Sequence, residues 1–248
     1  MDIEARQVEA GRGWAWLVEG WQLFLKAPAP WIVMAVIYLA IGFVLSLIPV
    51  LGSLAHLLIT PALMGGMLYG AAVLAQGGQL EIGYLFRAFQ DQERLGPMLT
   101  LGAFLVGAII IALLLTAGLA GGALISSSSH LTEVNADKVA GLLFGMGALA
   151  FLLILLFILL FILVIVMALF YGVPLVMLAG QEPWQSLQDS IMVCHANSLP
   201  FLVFGLVYIG LSCLAVLPLG LGFLLLLPVT FGALYASYRD VFPGLEAG

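Results

Sequence analysis

Few side chains in this sequence could do chemistry, and they are scattered. The chain of 248 residues holds three histidines, two cysteines, thirteen acids and seven Lys or Arg. His56 is the one ionisable side chain that falls within an apolar run. Ionisable groups inside a bilayer mark proton relays and substrate paths. A lone histidine near the end of such a run is more often a hydrogen-bonded structural group, and that reading is preferred for His56. His130 lies in a polar loop. Cys194 and His195 are adjacent, but a zinc site takes three or four ligands and no third lies near them in sequence. No Gly-x-Ser-x-Gly, His-Glu-x-x-His or phosphate-loop pattern occurs. The expectation is a protein that is not an enzyme and carries no cofactor and no metal. Cys194 and Cys213 read as small buried hydrophobes rather than a disulfide framework.

The elements that would position these residues are apolar. Residues 139–181 contain no charged side chain, and 151–170 are almost wholly Leu, Ile, Phe and Val. About 20 apolar residues already span a bilayer. The whole chain is 64% hydrophobic and 8% charged, against about 25% charged in an average globular protein. So much apolar surface requires lipid to cover it. The net charge of −6 argues against nucleic acid, whose phosphates need basic patches. Residues 1–12 are mixed in charge and do not read as a signal peptide.

The pattern predicts an all-α, polytopic membrane protein in a single domain over residues 1–248. Six transmembrane helices are expected in three hairpins: about 31–48 and 52–76, 97–123 and one within 139–181, then 199–217 and 220–238. The 43 residues of 139–181 would extend about 64 Å as a helix, so they cross either once with overhang or twice. No turn signal lies between Ala148 and Phe170, and one crossing is preferred. Pro61, Pro174 and Pro228 fall inside predicted helices and should kink them, because proline removes one backbone hydrogen bond. The spacings Gly66/Gly70, Gly118/Gly122 and Gly141/Gly145 match a helix-pairing motif, but 29 glycines make such pairs expected by chance.

An amphipathic segment should precede each hairpin, at 13–26, 80–95 and 183–197. In the first, Trp14, Leu17, Val18, Trp21, Phe24 and Leu25 recur at helical spacing. In the third, Trp184, Leu187, Ile191 and Cys194 form the stripe. These segments are too short to span. Trp14, Trp21, Phe24, Trp184, Leu187 and Ile191 are therefore expected at the membrane interface. Packing of the same segments on the protein's own bundle is the alternative, and the two are compatible.

With six crossings, Arg6, Arg12, Lys26, Arg87, Arg94 and Arg239 share one side and only Lys138 lies opposite. The positive-inside rule places that side, and both termini, in the cytoplasm. Residues 126–138 would then face the periplasm. An internal repeat is also visible. Trp14 and Trp184, Pro30 and Pro200, Trp31 and Phe201 match at a constant offset of 170. Pro61 and Pro228 are each followed by a glycine four residues on, Gly65 and Gly232. The implied units are about 13–76, 80–179 and 183–240.

The run Arg12-Gly13-Trp14-Ala15-Trp16-Leu17-Val18-Glu19-Gly20-Trp21-Gln22-Leu23-Phe24 is similar to the opening of a family of uncharacterised proteobacterial inner-membrane proteins. Residues 46–52, 85–89 and 174–178 continue the likeness. The Asn197-to-Pro200 element more loosely resembles the membrane domain attached to some glycerophosphodiester phosphodiesterases. The resemblance implies a six-helix bacterial membrane fold and no activity. The expected role is non-catalytic: organising or binding membrane lipid, a protein partner or a second copy of the chain through the cytoplasmic-side helices. A channel or carrier for a weakly polar or lipid-like solute is the alternative.

Overall fold

The computed structural model describes residues 5–128 and 146–245. Every regular element among them is helical: α1 (Arg12–Lys26), α2 (Pro28–Ser46), α3 (Leu51–Ala75), a 3-10 turn (Ile82–Phe86), α4 (Arg87–Gln90), α5 (Gln92–Ser128), α6 (Met146–Ala179), α7 (Pro183–Ala196), α8 (Ser198–Val216) and α9 (Phe223–Val241). Five helical stretches are long and apolar enough to cross a membrane: α2, α3, Gln92–Gly118, Leu152–Ala179 and α8. The expected sixth, α9, is not among them. It starts as apolar as the rest, but Ser237, Arg239 and Asp240 occupy its end.

Prolines and one cap explain the starts of three helices, α2, α5 and α7. Pro28 starts α2, where its missing N–H costs nothing. The Asp91 carboxylate accepts from the amides of Glu93 and Arg94 and so caps α5. That cap corrects the expectation of one amphipathic helix over 80–95. The segment is instead a 3-10 turn and a single helical turn, after which α5 starts, with Pro97 inside it rather than before it. Ser126–Ser128, expected in a loop, continue α5, since no proline or glycine follows Gly122 to stop it. Residues 146–179 form one unbroken helix, although Pro174 lies within it. His130, Gly141, Gly145 and the connection 129–145 fall outside the described residues.

Contacts divide the chain into two compact units. One is built from the residues up to Phe104 together with those from Met167 onward, and the other is Leu105–Val166. In the second unit Thr116 bonds back to the Ala112 carbonyl, and Phe157 stacks near Phe161.

The first unit is held by close backbone approach. In lipid the hydrophobic effect gives no net drive between helices, so tight packing and hydrogen bonds must do it. A Cβ on Gly20 of α1 would stand 2.3 Å from the Val229 carbonyl oxygen and 2.6 Å from the Ala233 nitrogen of α9. One on Gly13 would stand 2.1 Å from the Pro200 carbonyl oxygen of α8. Gly102 of α5 meets the Leu58 carbonyl of α3 in the same way, at 2.0 Å. Gly66 and Gly70, the helix-pairing motif, receive the 80–86 segment of this chain: Gly66 faces the Leu85 carbonyl and Gly70 faces Leu80.

Candidate functional site

α1 carries two apolar stripes, one residue out of phase. Gly13, Trp16, Leu17, Gly20, Leu23 and Phe24 are buried against the bundle. Trp14, Val18, Trp21 and Leu25 face outward, with Trp14 56% and Trp21 44% exposed. A one-residue step turns a helix by about 100°, which separates these faces. α7 repeats the arrangement. Its inward face holds Ser186, Leu187, Ser190, Val193 and Cys194, while Trp184 is 62% exposed.

Trp14, Trp21 and Trp184 therefore lie on the outer surface. Phe24 and Leu187 do not: each is only 4% exposed and packs in the core. Ile191 is half-buried against that core. The correction has a physical cause. The glycines bring α1 so close to α8 and α9 that the neighbouring Phe24 face is covered by protein.

The polar end of α1 is fixed by one carboxylate. Asp240, near the end of α9, accepts from Arg12 Nε at 2.6 Å and from Trp16 Nε1 at 3.0 Å. It also pairs with Arg6 Nη2, whose Nε donates to the Asp240 carbonyl at 2.6 Å. Burial pushes the Asp240 carboxyl up, but the hydrogen bonds from Trp16, Arg12 and Arg6 outweigh it and hold it below the ordinary range. The same bond to Asp240 raises the Arg12 guanidinium, which also donates to Glu19 at 2.8 Å. Buried Asn197 completes the clasp. Its Oδ1 accepts from the Val8 amide at 2.9 Å, and its Nδ2 donates to the Val193 carbonyl at 3.1 Å.

Ser190 enters the backbone ladder of α6. The Tyr171 amide donates to Ser190 Oγ at 2.9 Å, and Ser190 Oγ donates in turn to the Met167 carbonyl at 2.5 Å. In a regular helix Tyr171 would donate to Met167 directly, so the hydroxyl is inserted between them. Three residues on, Pro174 has no N–H for the Phe170 carbonyl. α7 thus grips α6 where its ladder is already weak. Ser190→Ala should cost about 1 kcal/mol, because the ladder can close over the lost hydroxyl. Thermal unfolding in detergent checks this, and an unchanged midpoint would contradict it.

The expected chemical candidates are not brought together. The His56 ring lies against Gly42, its Nε2 3.2 Å from where a Cβ would stand. It makes no ion pair among the described residues. Burial pushes the Cys194 thiol up to about 12, and the hydrogen bond with Ser190 opposes this only in part. Among the described residues no three His, Cys, Asp or Glu side chains gather as a metal site. Pro61 and Pro228 lie buried inside α3 and α9.

A partly open cavity of about 420 Å³ lies at the ends of α3 and α9, lined by Gln76, Tyr238, Arg239, Phe242 and Leu245 among others. The buried Tyr238 hydroxyl has no hydrogen-bond partner among the described residues.

Trp16, Gly13, Gly20, Ser190 and Asp240 were not anticipated as key residues. The Gly13–Gly20 spacing, in register with Trp16 and Leu23, was the available signal for α1. Nothing in the sequence pointed to Ser190 or to the pairing of Asp240 with Arg6 and Arg12, which are more than 220 residues away.

Residues 24–242 match the family described as protein of unknown function (DUF975), and the chain belongs to that family. No curated protein and no solved structure gives a significant match.

Proposed function

We propose that this DUF975 protein is a non-catalytic bacterial inner-membrane protein that binds lipid or a protein partner through the outward faces of α1 and α7. In this reading six membrane-embedded helices form three hairpins, α2–α3, α5–α6 and α8–α9, with both termini cytoplasmic. The concentration of Arg and Lys on one side supports that orientation. The repeat of the outer units is supported by two parallels. Each outer hairpin is preceded by a short helix with an outward tryptophan, and each has a proline inside its second arm.

One observation carries the reading. The inner faces of α1 and α7 are locked onto the protein, yet their outer faces still present Trp14, Val18, Trp21 and Trp184. An indole keeps its ring in an apolar layer and its N–H at the wet edge, which suits headgroup depth. Burying one such side chain contributes roughly 1.5–3 kcal/mol.

The test is complementation of a deletion strain. Trp14→Glu with Trp21→Glu should fail to complement while the chain still inserts, and His56→Ala should complement fully. A silent double variant with an inactive His56→Ala would move the function inside the bundle.

The second reading, a carrier for a weakly polar or lipid-like solute, has the cavity beside Tyr238 in its favour. About 420 Å³ is within the range of small-molecule sites. It lies at helix ends rather than along the bundle, so the belt is preferred.

A further inference from the structure

The turns that join α2 to α3 and α8 to α9 are unlike loops that meet water. Residues 27–80 and 190–238 contain no Asp, Glu, Lys or Arg, and each run includes a hairpin turn. The first turn exposes Leu47, Ile48, Val50 and Leu51, and the second Leu217, Leu219 and Leu221; Leu219 is 97% exposed. Surface turns are ordinarily built from Gly, Pro, Asn, Asp and Ser; these turns keep Pro49, Gly52, Pro218, Gly220 and Gly222 but hold no Asn or Asp. Here two positions in the left-handed region hold apolar residues, Val50 at φ 61° and Leu219 at φ 55°. For a β-branched residue that conformation is an outlier, and glycine would adopt it without strain. The side chain at each turn is thus apolar where the backbone favours something else.

The backbone of both turns is largely closed on itself. The amides of Leu47, Ile48, Leu51 and Gly52 donate to the carbonyls of Val44, Leu45, Pro49 and Ile48. Those of Leu217, Gly220, Leu221 and Phe223 donate to Leu214, Val216, Pro218 and Gly220. Pro49 and Pro218 have no N–H to satisfy. The Ser46 hydroxyl folds back on the Phe43 carbonyl at 2.6 Å. Such closure is required of backbone in hydrocarbon and is not required of a turn in water.

Length agrees for three of the four arms: α2, α8 and α9 have 19 residues each, about 28 Å of rise, against a hydrocarbon core of about 30 Å, while α3, with 25 residues and about 37 Å, is longer. From Arg239 back to the start of α9 is only about 24 Å. The central pair is different: α5 and α6 have 37 and 34 residues, and their connection contains Glu133, Asp137 and Lys138.

We infer that the tips of the α2–α3 and α8–α9 hairpins end inside the bilayer and contact the acyl chains of the far leaflet. No charged residue rims the tips as it would a protein interface; Ser46, Ser53 and the half-buried Ser212 are the small polar side chains beside them. Fluid acyl chains are the occupant that such a surface fits.

The experiment places one cysteine at Val50, Leu217, Leu219 or Gln79 of the full chain, after Cys194→Ala and Cys213→Ser. Membrane sheets open on both faces are treated with a charged maleimide, so the outcome does not depend on orientation. Gln79→Cys, exposed in the turn after α3, should react readily. The tip cysteines should react less than a tenth as fast. Labelled instead with an apolar fluorophore, they should be quenched by lipids carrying a nitroxide on the acyl chain. Reaction of Val50→Cys and Leu219→Cys as fast as Gln79→Cys would overturn the inference. So would slow reaction without acyl-chain quenching, which would mean that protein covers the tips. Leu217→Cys, away from the strained positions, keeps the second hairpin testable if Leu219→Cys does not assemble.

Discussion

Gly20→Leu should detach α1 from the bundle and destabilise the protein by about 3 kcal/mol or more. The estimate sits at the upper end for overpacking because of what the new side chain meets. Its Cβ alone would lie 2.3 Å from the Val229 carbonyl oxygen and 2.6 Å from the Ala233 nitrogen. These are backbone atoms of α9, so no rotamer change can relieve the clash. Gly232 meets the Gly20 backbone from the other side, with a Cβ there 2.9 Å from the Gly20 Cα. Trp21→Leu, one residue on, loses the stacking of Trp21 on Phe24 but meets no backbone, and should shift the unfolding midpoint far less. Limited trypsin digestion of the purified protein distinguishes the two, since a detached α1 can unfold around the bonds after Arg12 and Lys26. Equal resistance of Gly20→Leu and wild type would show that α1 is not packed as described.

Asp240→Ala should cost about 2–3 kcal/mol at neutral pH. Its carboxylate, with the side chain 9% exposed, is shared by Arg6, Arg12 and Trp16. Removing it leaves the Trp16 indole N–H without its acceptor and takes one acceptor from each guanidinium, although Arg12 keeps Glu19 and Arg6 keeps the main-chain carbonyl of residue 240. The arginines keep the loss from being larger, because their side chains are 57% and 37% exposed and water partly replaces the carboxylate. By contrast Arg239 and Glu19, 3.7 Å apart with Arg239 61% exposed, should contribute little.

The pH dependence follows from the direction of the shift. The folded state holds the Asp240 carboxyl below its unfolded value, near 3.9 for an aspartate. Its stabilisation is therefore complete above the unfolded value and is lost as pH falls through the folded one. Wild type and Asp240→Asn should differ clearly in unfolding midpoint at pH 7, and the gap should narrow steadily below about pH 4. A gap that stays constant down to the lowest pH would mean that Asp240 is not ionised in its clasp.

The helical class and the approximate spans were legible because lipid-facing helices leave a coarse signal, a run of apolar residues that no soluble core would need. The two faces of α1 were harder. The stripes at 13, 16, 17, 20, 23, 24 and at 14, 17, 18, 21, 24, 25 are both apolar and differ by one step. Tryptophan drew attention to the second, whereas the glycines that admit a neighbouring backbone identify the first. Hydropathy gives a buried glycine no weight, although here glycine decides which face docks. The 80–95 segment misled for a related reason. Its apolar residues fit a helical period, but the Asp91 cap starts a new helix in the middle of it. Ser190 was illegible because its partners, the Tyr171 amide and the Met167 carbonyl, are backbone atoms that any sequence supplies. The Asp240 clasp joins residues from opposite ends of the chain, where no local pattern links them.

The central claim is that Trp14, Trp21 and Trp184 rest in the headgroup layer while Trp16 and Trp31 are sealed inside the protein. Tryptophan fluorescence in vesicles tests it, with bromine placed either high or low on the lipid acyl chains. Wild type should be quenched more by the shallow bromines than by the deep ones. The variant with Trp14→Phe, Trp21→Phe and Trp184→Phe should lose most of that quenching, leaving the emission of the buried pair. Undiminished quenching in the triple variant, or quenching of the wild type by aqueous iodide in place of bromolipid, would contradict the account.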